Sequence, residues 1–461
     1  MDFNRLGNAF NSHAQTIVKM LLVTMVFKLI LQVIKSQGWL KTTAFWAVLL
    51  SVAGCVDIPS TQKPETTPSP SPVTQPVGSP VATSPPPSLP PSTANRKLLE
   101  ESWIIYRQQF IQEDGRVIDY EASDRSTSEG QAYAMLRAVL INDPKTFDLT
   151  LDWAEDNLRR FSSTGEPLDQ LWAWKWGTDQ AGKWGPIDNN FASDADIDAI
   201  TALILASRRW NRPEYLELAR VKLEDLWKFS TVAAATPGSK RYLLPGPAEA
   251  FVPSASTVYL NPSYFAPYAF RLFAQVDPDH NWLSLVESSY QVLEKSSQVS
   301  AVGLPGDWIV LDLPTGQFRP MPPESKLQSV YSFDAYRVWW RIAWDMAWFK
   351  PPEAERYLNS ATQHLQELWA SSGRLPARIN IEGQSTVSYD ATSQYAMLYL
   401  AFSLIAPETA EQLLEQKLLP RYNQGIWDDE SAYYTQNLAW LALLPPSAID
   451  QQLLKPEQKN P

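Results

Sequence analysis

Across residues 96–445, apolar positions recur at spacings of three and four, the period that lines up side chains on one face of a helix. Twelve windows carry this pattern: 97–113, 129–142, 144–160, 194–210, 213–230, 263–276, 280–297, 334–349, 352–372, 389–405, 407–418 and 428–444. Several adjoin through short turns, such as Asn142-Asp143-Pro144, Asp277-Pro278-Asp279 and Lys350-Pro351-Pro352. Such residues stop one helix and start the next, so the windows pair as helical hairpins. Longer connections, rich in aromatics and proline, lie between pairs at 161–193, 236–262 and 299–333. In the last, Trp308-Ile309-Val310-Leu311-Asp312 and Gln317-Phe318-Arg319 flank Pro314-Thr315-Gly316, which predicts a short β-hairpin. The stretch 161–193 reads as loop.

Numbering the windows exposes a parity. Glu129 opens the second, Asp194 the fourth, Tyr264 the sixth and Asp334 the eighth. In a closed ring of antiparallel hairpins alternate helices run the same way, so these side chains would share one mouth with the long connections. The expected fold is all-α: an (α/α)6 barrel of six helical hairpins, with short β-hairpins in the connecting loops. Each acid taken singly also suits an ordinary helix start, where it caps or meets the dipole.

The first hundred residues are of another kind. An apolar run over 43–54, too short to span a bilayer, follows Lys41 and ends in Val52-Ala53-Gly54-Cys55. This layout, whose end resembles the bacterial lipobox, implies export and lipidation of Cys55. An uncleaved anchor over 17–34 is the alternative, though Lys19 and Lys28 interrupt it. We therefore expect a lipoprotein-type signal over 1–54 and a Pro/Ser/Thr-rich tether over 55–95, which cannot bury enough surface to fold. The helical domain over 96–445 follows, then a tail over 446–461. A membrane-tethered lipoprotein on the periplasmic or cell-surface side is the localisation this implies.

Charge and rare residues narrow the chemistry. The net charge of −11 speaks against a nucleic-acid partner. One cysteine and three scattered histidines leave little for a Cys/His metal site or a Ser-His-Asp nucleophile. No metal or cofactor is expected, and Asp, Glu, Tyr and Arg must carry any reaction. Trp339, Trp340, Trp344 and Trp348 stand at helical spacings and read as core. Trp172, Trp174, Trp176 and Trp184 sit outside a helix stripe and read as a platform for sugar rings.

Five stretches in order resemble glycoside hydrolase family 8, the bacterial endoglucanase family that includes enzymes associated with cellulose synthesis. They are Thr127-Ser128-Glu129-Gly130-Gln131, Leu171-Trp172-Ala173-Trp174-Lys175-Trp176, Ala192-Ser193-Asp194-Ala195-Asp196, Ser263-Tyr264-Phe265-Ala266-Pro267 and Phe333-Asp334-Ala335-Tyr336-Arg337. The resemblance implies an (α/α)6 barrel and an inverting endo-β-1,4-glucanase. It implies Glu129 as general acid, Asp334 as general base and Asp194 holding the sugar at the cleavage point. Trp174, Tyr264 and Arg337 would bind substrate, with Arg337 also pairing with Asp334. Cellulose-synthesis machinery becomes a candidate partner. Departures from the family pattern are Ala199-Ile200 after Asp198, Phe333 before the base, and the extra glycine of Pro305-Gly306-Asp307-Trp308. Chitosan, xylan and mixed-linkage glucan stay open as substrates. So does a weakly catalytic glycan-binding accessory of cellulose export. A polysaccharide lyase is disfavoured by the scarcity of histidine.

Overall fold

The computed structural model describes residues 93–234 and 240–455. The expected signal segment, Cys55 and the tether up to residue 92 lie outside the described residues, as does 456–461. Among the described residues, no helix is long and apolar enough to cross a membrane.

The main helices are α1 (Thr93–Phe110), α2 (Ser128–Ile141), α3 (Pro144–Asn157), α4 (Ser193–Trp210), α5 (Pro213–Phe229), α6 (Pro267–Val276) and α7 (Trp282–Ser297). They continue as α8 (Phe333–Phe349), α9 (Pro352–Ala361), α10 (Gln363–Ser372), α11 (Thr392–Ile405), α12 (Pro407–Leu413) and α13 (Tyr433–Leu443). An inner ring runs α2, α4, α6, α8, α11, α13, and α13 packs back on α2 to close it. Outside it, α3 packs on α2, α5 on α4, α7 on α6, α9 on α8 and α12 on α11. Helix α1 packs on α13, so the first and last helices make the sixth hairpin. This is the expected (α/α)6 barrel, with the window 352–372 divided into α9 and α10.

Sequence explains which helices go inside. Inner helices are buried on most sides: α2 buries eleven of its fourteen residues and α11 ten of fourteen. Outer helices are amphipathic: α5 buries Tyr215, Ala219, Lys222, Leu223 and Leu226 along one stripe. The inner-to-outer turns are tight because Asn142, Asn211 and Lys350 take left-handed conformations, with Pro144, Pro213 and Pro352 opening the next helix. Trp339, Trp340 and Trp344 are fully buried, as their spacing predicts.

The outer-to-inner connections carry strands. The region 161–193 is not a loop: β1 (Ser126–Thr127), β2 (Arg159–Phe161), β3 (Pro167–Thr178) and β4 (Trp184–Phe191) form an antiparallel sheet in which β3 pairs with all the others. Strands β5 (Thr231–Ala233) and β6 (Arg241–Leu243) form a ribbon. A three-stranded sheet joins β7 (Thr257–Leu260), β8 (Ile309–Asp312) and β9 (Gln317–Arg319). The β8–β9 turn is the predicted one, with Gly316 at φ 66°. Residues 446–455 are not a free tail. Ile449, Leu453 and Leu454 are buried, and Arg208 on α4 and Gln275 on α6 donate to the carbonyls of Leu453 (2.7 Å) and Leu454 (3.1 Å).

Candidate active site

Three inner helices begin around one guanidinium. Thr127 caps α2, its hydroxyl accepting from the Gly130 N–H at 3.1 Å, so Glu129 is free of capping duty. The Glu129 carboxylate instead accepts from Arg337 Nη1 at 2.6 Å and from the Tyr433 hydroxyl at 2.9 Å. Asp194 takes the Ala195 N–H on one oxygen (2.9 Å) and Arg337 Nη1 on the other (2.7 Å). Asp334, three residues before Arg337 on α8, accepts from Arg337 Nη2 and from the Asn261 amide, both at 3.0 Å. Side-chain exposure grades from 4% at Asp194 through 21% at Glu129 to 36% at Asp334. Capping therefore explains part of Asp194 and neither of the other two.

Arg337 makes the expected pair with Asp334 and more besides. It is 1% exposed, and its terminal nitrogens are committed to Glu129, Asp194, Asp334, Tyr133 and Ser263. Both terminal nitrogens are bonded to protein acceptors, so Arg337 is held as the common partner of the three acids. Tyr264 lies half-buried with its ring 5.3 Å from that guanidinium, beside Trp308 at 6.3 Å.

The charge count at this mouth is three carboxyls to one cation. Burial pushes Glu129 up to about 7; Arg337 and the Tyr433 hydrogen bond oppose the rise, while Asp194 and Asp334 add to it. Asp334 is raised too, mainly by burial, against the pull of Arg337. Burial and the nearby carboxylates hold the Tyr433 and Tyr264 phenols well above their ordinary range, so both stay protonated donors.

One turn further along the same two helices lies a closed pair. Arg341 grips Asp198 with both terminal nitrogens, one at 2.8 Å, and Arg341 donates to Tyr268 at 2.7 Å. Arg341 and Asp198 are buried.

The tryptophans divide. Trp172 is not part of a platform: it is fully buried, with its indole N–H on Glu155 at 2.9 Å. Trp174 is half-buried on β3, next to Lys175, which pairs with Thr127 at the head of α2. Trp176 and Trp184 stack at 5.0 Å, and Trp184 is 49% exposed. Sequence reasoning missed Tyr433 and Asn261. The parity rule reaches Tyr433, which opens α13, the helix of the twelfth window, once that window starts at 433 in place of 428. Nothing in the sequence pattern marks Asn261. A groove of about 650 Å³ between α10 and α12 lies on the outer ring, and its one tryptophan, Trp369, is 5% exposed and offers no free ring face.

An (α/α)6 barrel whose mouth pairs a proton-holding carboxyl with a second, more exposed one is built as a glycoside hydrolase. The model of glycosyl hydrolases family 8 matches residues 90–444, and the chain belongs to that family. An endoglucanase of Pseudomonas fluorescens (strain SBW25) is 29% identical over 74% of this chain and 91% of its own length. One of Xanthomonas axonopodis pv. citri (strain 306) is 38% identical over 51% of this chain and 58% of its own length. The endo-1,4-D-glucanase of Vibrio fischeri ES114 superposes with a TM-score of 0.61 at 27% identity, over 74% of this chain and 93% of that one.

Proposed function

We propose that this chain is an endo-acting β-1,4-glucan hydrolase that inverts the anomeric centre, with Glu129 as general acid and Asp334 as general base. What supports the assignment is the shared guanidinium. Arg337 holds Glu129 on one terminal nitrogen and Asp334 on the other, so the bound oxygens lie no more than roughly 8 Å apart, within reach of the about 6.5–9.5 Å that an inverting pair needs to seat a water. Glu129, pushed up to about 7, keeps a proton near neutrality for the glycosidic oxygen. The more exposed Asp334 takes a proton from water attacking the anomeric carbon from the other side. Arg337 and Tyr433 receive the Glu129 anion left behind. Asp194, nearly buried beside the same guanidinium, orients sugar hydroxyls, and Trp174 offers a ring face along the chain of sugars. The apolar run ending at Cys55 supports export and a lipid tether, which would place the barrel close to a membrane and to any cellulose-synthesis machinery there.

The test is reducing-end release from carboxymethylcellulose by the full chain beside Glu129→Gln and Asp334→Asn, with the first-formed anomer read by NMR. Loss of about 10²–10⁴-fold in both variants and an α-anomer product are expected. A β-anomer, or a variant with full activity, overturns the assignment. Inactivity of the wild type on this glucan with activity on xylan, chitosan or mixed-linkage glucan would move the substrate. Mass spectrometry of the mature protein tests the tether: a peptide from before Cys55 removes it.

A further inference from the structure

Helix α8 carries Asp334 at the second position of its first turn, yet has no cap of its own. Ser332 occupies the N-cap position and its side chain accepts nothing from the helix. The acceptor comes from 25 residues upstream. Asp307 Oδ1 accepts from the Ala335 N–H at 2.8 Å and the Ser332 N–H at 3.2 Å, while the Ser332 hydroxyl donates to Oδ2. An N-cap side chain ordinarily makes this bond to the third residue of its own helix; here a separate segment makes it. We propose that Asp307 is a positioning residue for hydrolysis, standing in for the missing cap of α8 and thereby fixing where Asp334 sits.

A second link reaches the same helix through the same sheet. Asn261, which bonds Asp334 Oδ2, directly follows β7, and Asp307 stands two residues before β8. Those strands pair antiparallel with Leu260 opposite Ile309, so one sheet end holds the Asp334 side chain through Asn261 and the flanking N–H groups of Ser332 and Ala335 through Asp307. Trp308, the residue after Asp307, stacks on Phe251 at 5.6 Å and so braces this end of the sheet. Burial and the neighbouring Asp334 charge push Asp307 up to about 7, so an amide is a close stand-in for it near neutrality. Asn retains an oxygen for both N–H groups; Ala removes every bond.

The inference rests on Asp334 being the base, and the experiment separates the two. Steady-state kinetics on carboxymethylcellulose compare wild type, Asp334→Asn, Asp307→Ala, Asp307→Asn and Ser332→Ala, each checked by circular dichroism and thermal melting. Asp307→Ala should lower kcat by about 10²-fold, the scale of an ångström's misplacement of a reacting group, with KM within about twofold. Asp307→Asn should recover to within about threefold of wild type. Wild-type kcat in Asp307→Ala, a raised KM at unchanged kcat, or an Asn variant as poor as Ala each overturns the positioning role. If Asp307→Ala does not fold, Ser332→Ala decides: it removes one of the three bonds and should lower kcat severalfold at constant KM, and an unchanged kcat sinks the idea. Full activity in Asp334→Asn would bring down the base assignment and this role with it, whereas collapse there with normal Asp307→Ala brings down the role alone.

Discussion

Helix α8 presents two arginines one turn apart, Arg337 and Arg341, and helix α4 faces them with two aspartates at the same spacing, Asp194 and Asp198. The deeper pair is balanced: one guanidinium, one carboxylate, both terminal nitrogens used and a phenol beside them. The pair at the mouth starts from the same helix spacing, with one bond from Arg337 to Asp194, and then gains Glu129 from α2 and Asp334 from α8 itself. Its single cation cannot neutralise three carboxyls, so a proton is held there at pH values where free carboxyls have lost theirs. Equal helix spacing gives a fixed strut in one tier and a proton-storing site in the other, and the difference lies in stoichiometry.

That contrast breaks most visibly in stability. Asp198→Ala leaves Arg341 buried beside a phenol and a carbonyl, and removing one partner of a buried ion pair costs about 3–5 kcal/mol. Asp194→Ala leaves Arg337 still paired with Glu129 and Asp334, so its cost should be well below that. Urea titrations of the two variants make the comparison; equal losses would mean that the tiers are energetically alike.

Activity reverses the ranking. Asp194→Asn should cost about 10²-fold in kcat/KM, because it removes the carboxylate proposed to orient the sugar and a charge that raises Glu129. With that charge gone Glu129 ionises earlier, so the alkaline limb of the pH profile should move to lower pH. A limb that stays put would separate Asp194 from the proton held by Glu129.

Some of this was readable in advance, and the reasons for the rest are physical. Twelve apolar windows and their parity yielded the barrel and brought Glu129, Asp194, Tyr264 and Asp334 to one mouth, because helix periodicity is local and direction alternates along a chain of hairpins. The commitment of Arg337 was hidden: its i,i+3 spacing shows Asp334, but Glu129 is 208 residues away and only the closed ring joins them. The β3–β4 hairpin was hidden as well. Its strands contain Pro167, Asp169, Gly177, Gly185 and Pro186, residues that usually punctuate loops, and its pairing is interrupted by register shifts. Trp172 was misassigned with it, since a tryptophan in a supposed loop gives no sign that Glu155 and Lys222 wait beneath the strand.

The proton itself can be read as stability. Glu129 sits at about 7 in the folded protein, above its ordinary value, so folding favours its protonated form. Its contribution is fully present below the unfolded value and is lost as pH rises through about 7. Glu129→Gln cannot ionise, so the melting temperature of this variant relative to wild type should climb between pH 5 and pH 8. A flat or falling difference would show that Glu129 ionises as a free glutamate does.

The smallest expected effect tests the opposite sign at the same carboxyl. The Tyr433 hydroxyl donates to Glu129 at 2.9 Å and favours the anion, pulling against burial. Tyr433→Phe keeps the ring and deletes that donor, a loss of about 1 kcal/mol or roughly fivefold in kcat/KM. With the donor gone Glu129 holds its proton more tightly, so the alkaline limb should move to higher pH, opposite to Asp194→Asn. The deleted bond also stabilises the carboxylate left after proton transfer, which is why the rate falls although the acid is protonated over a wider range. Opposite shifts in the two variants would place the catalytic proton on Glu129, between Arg337 and Tyr433; shifts in the same direction would place it elsewhere in the tier.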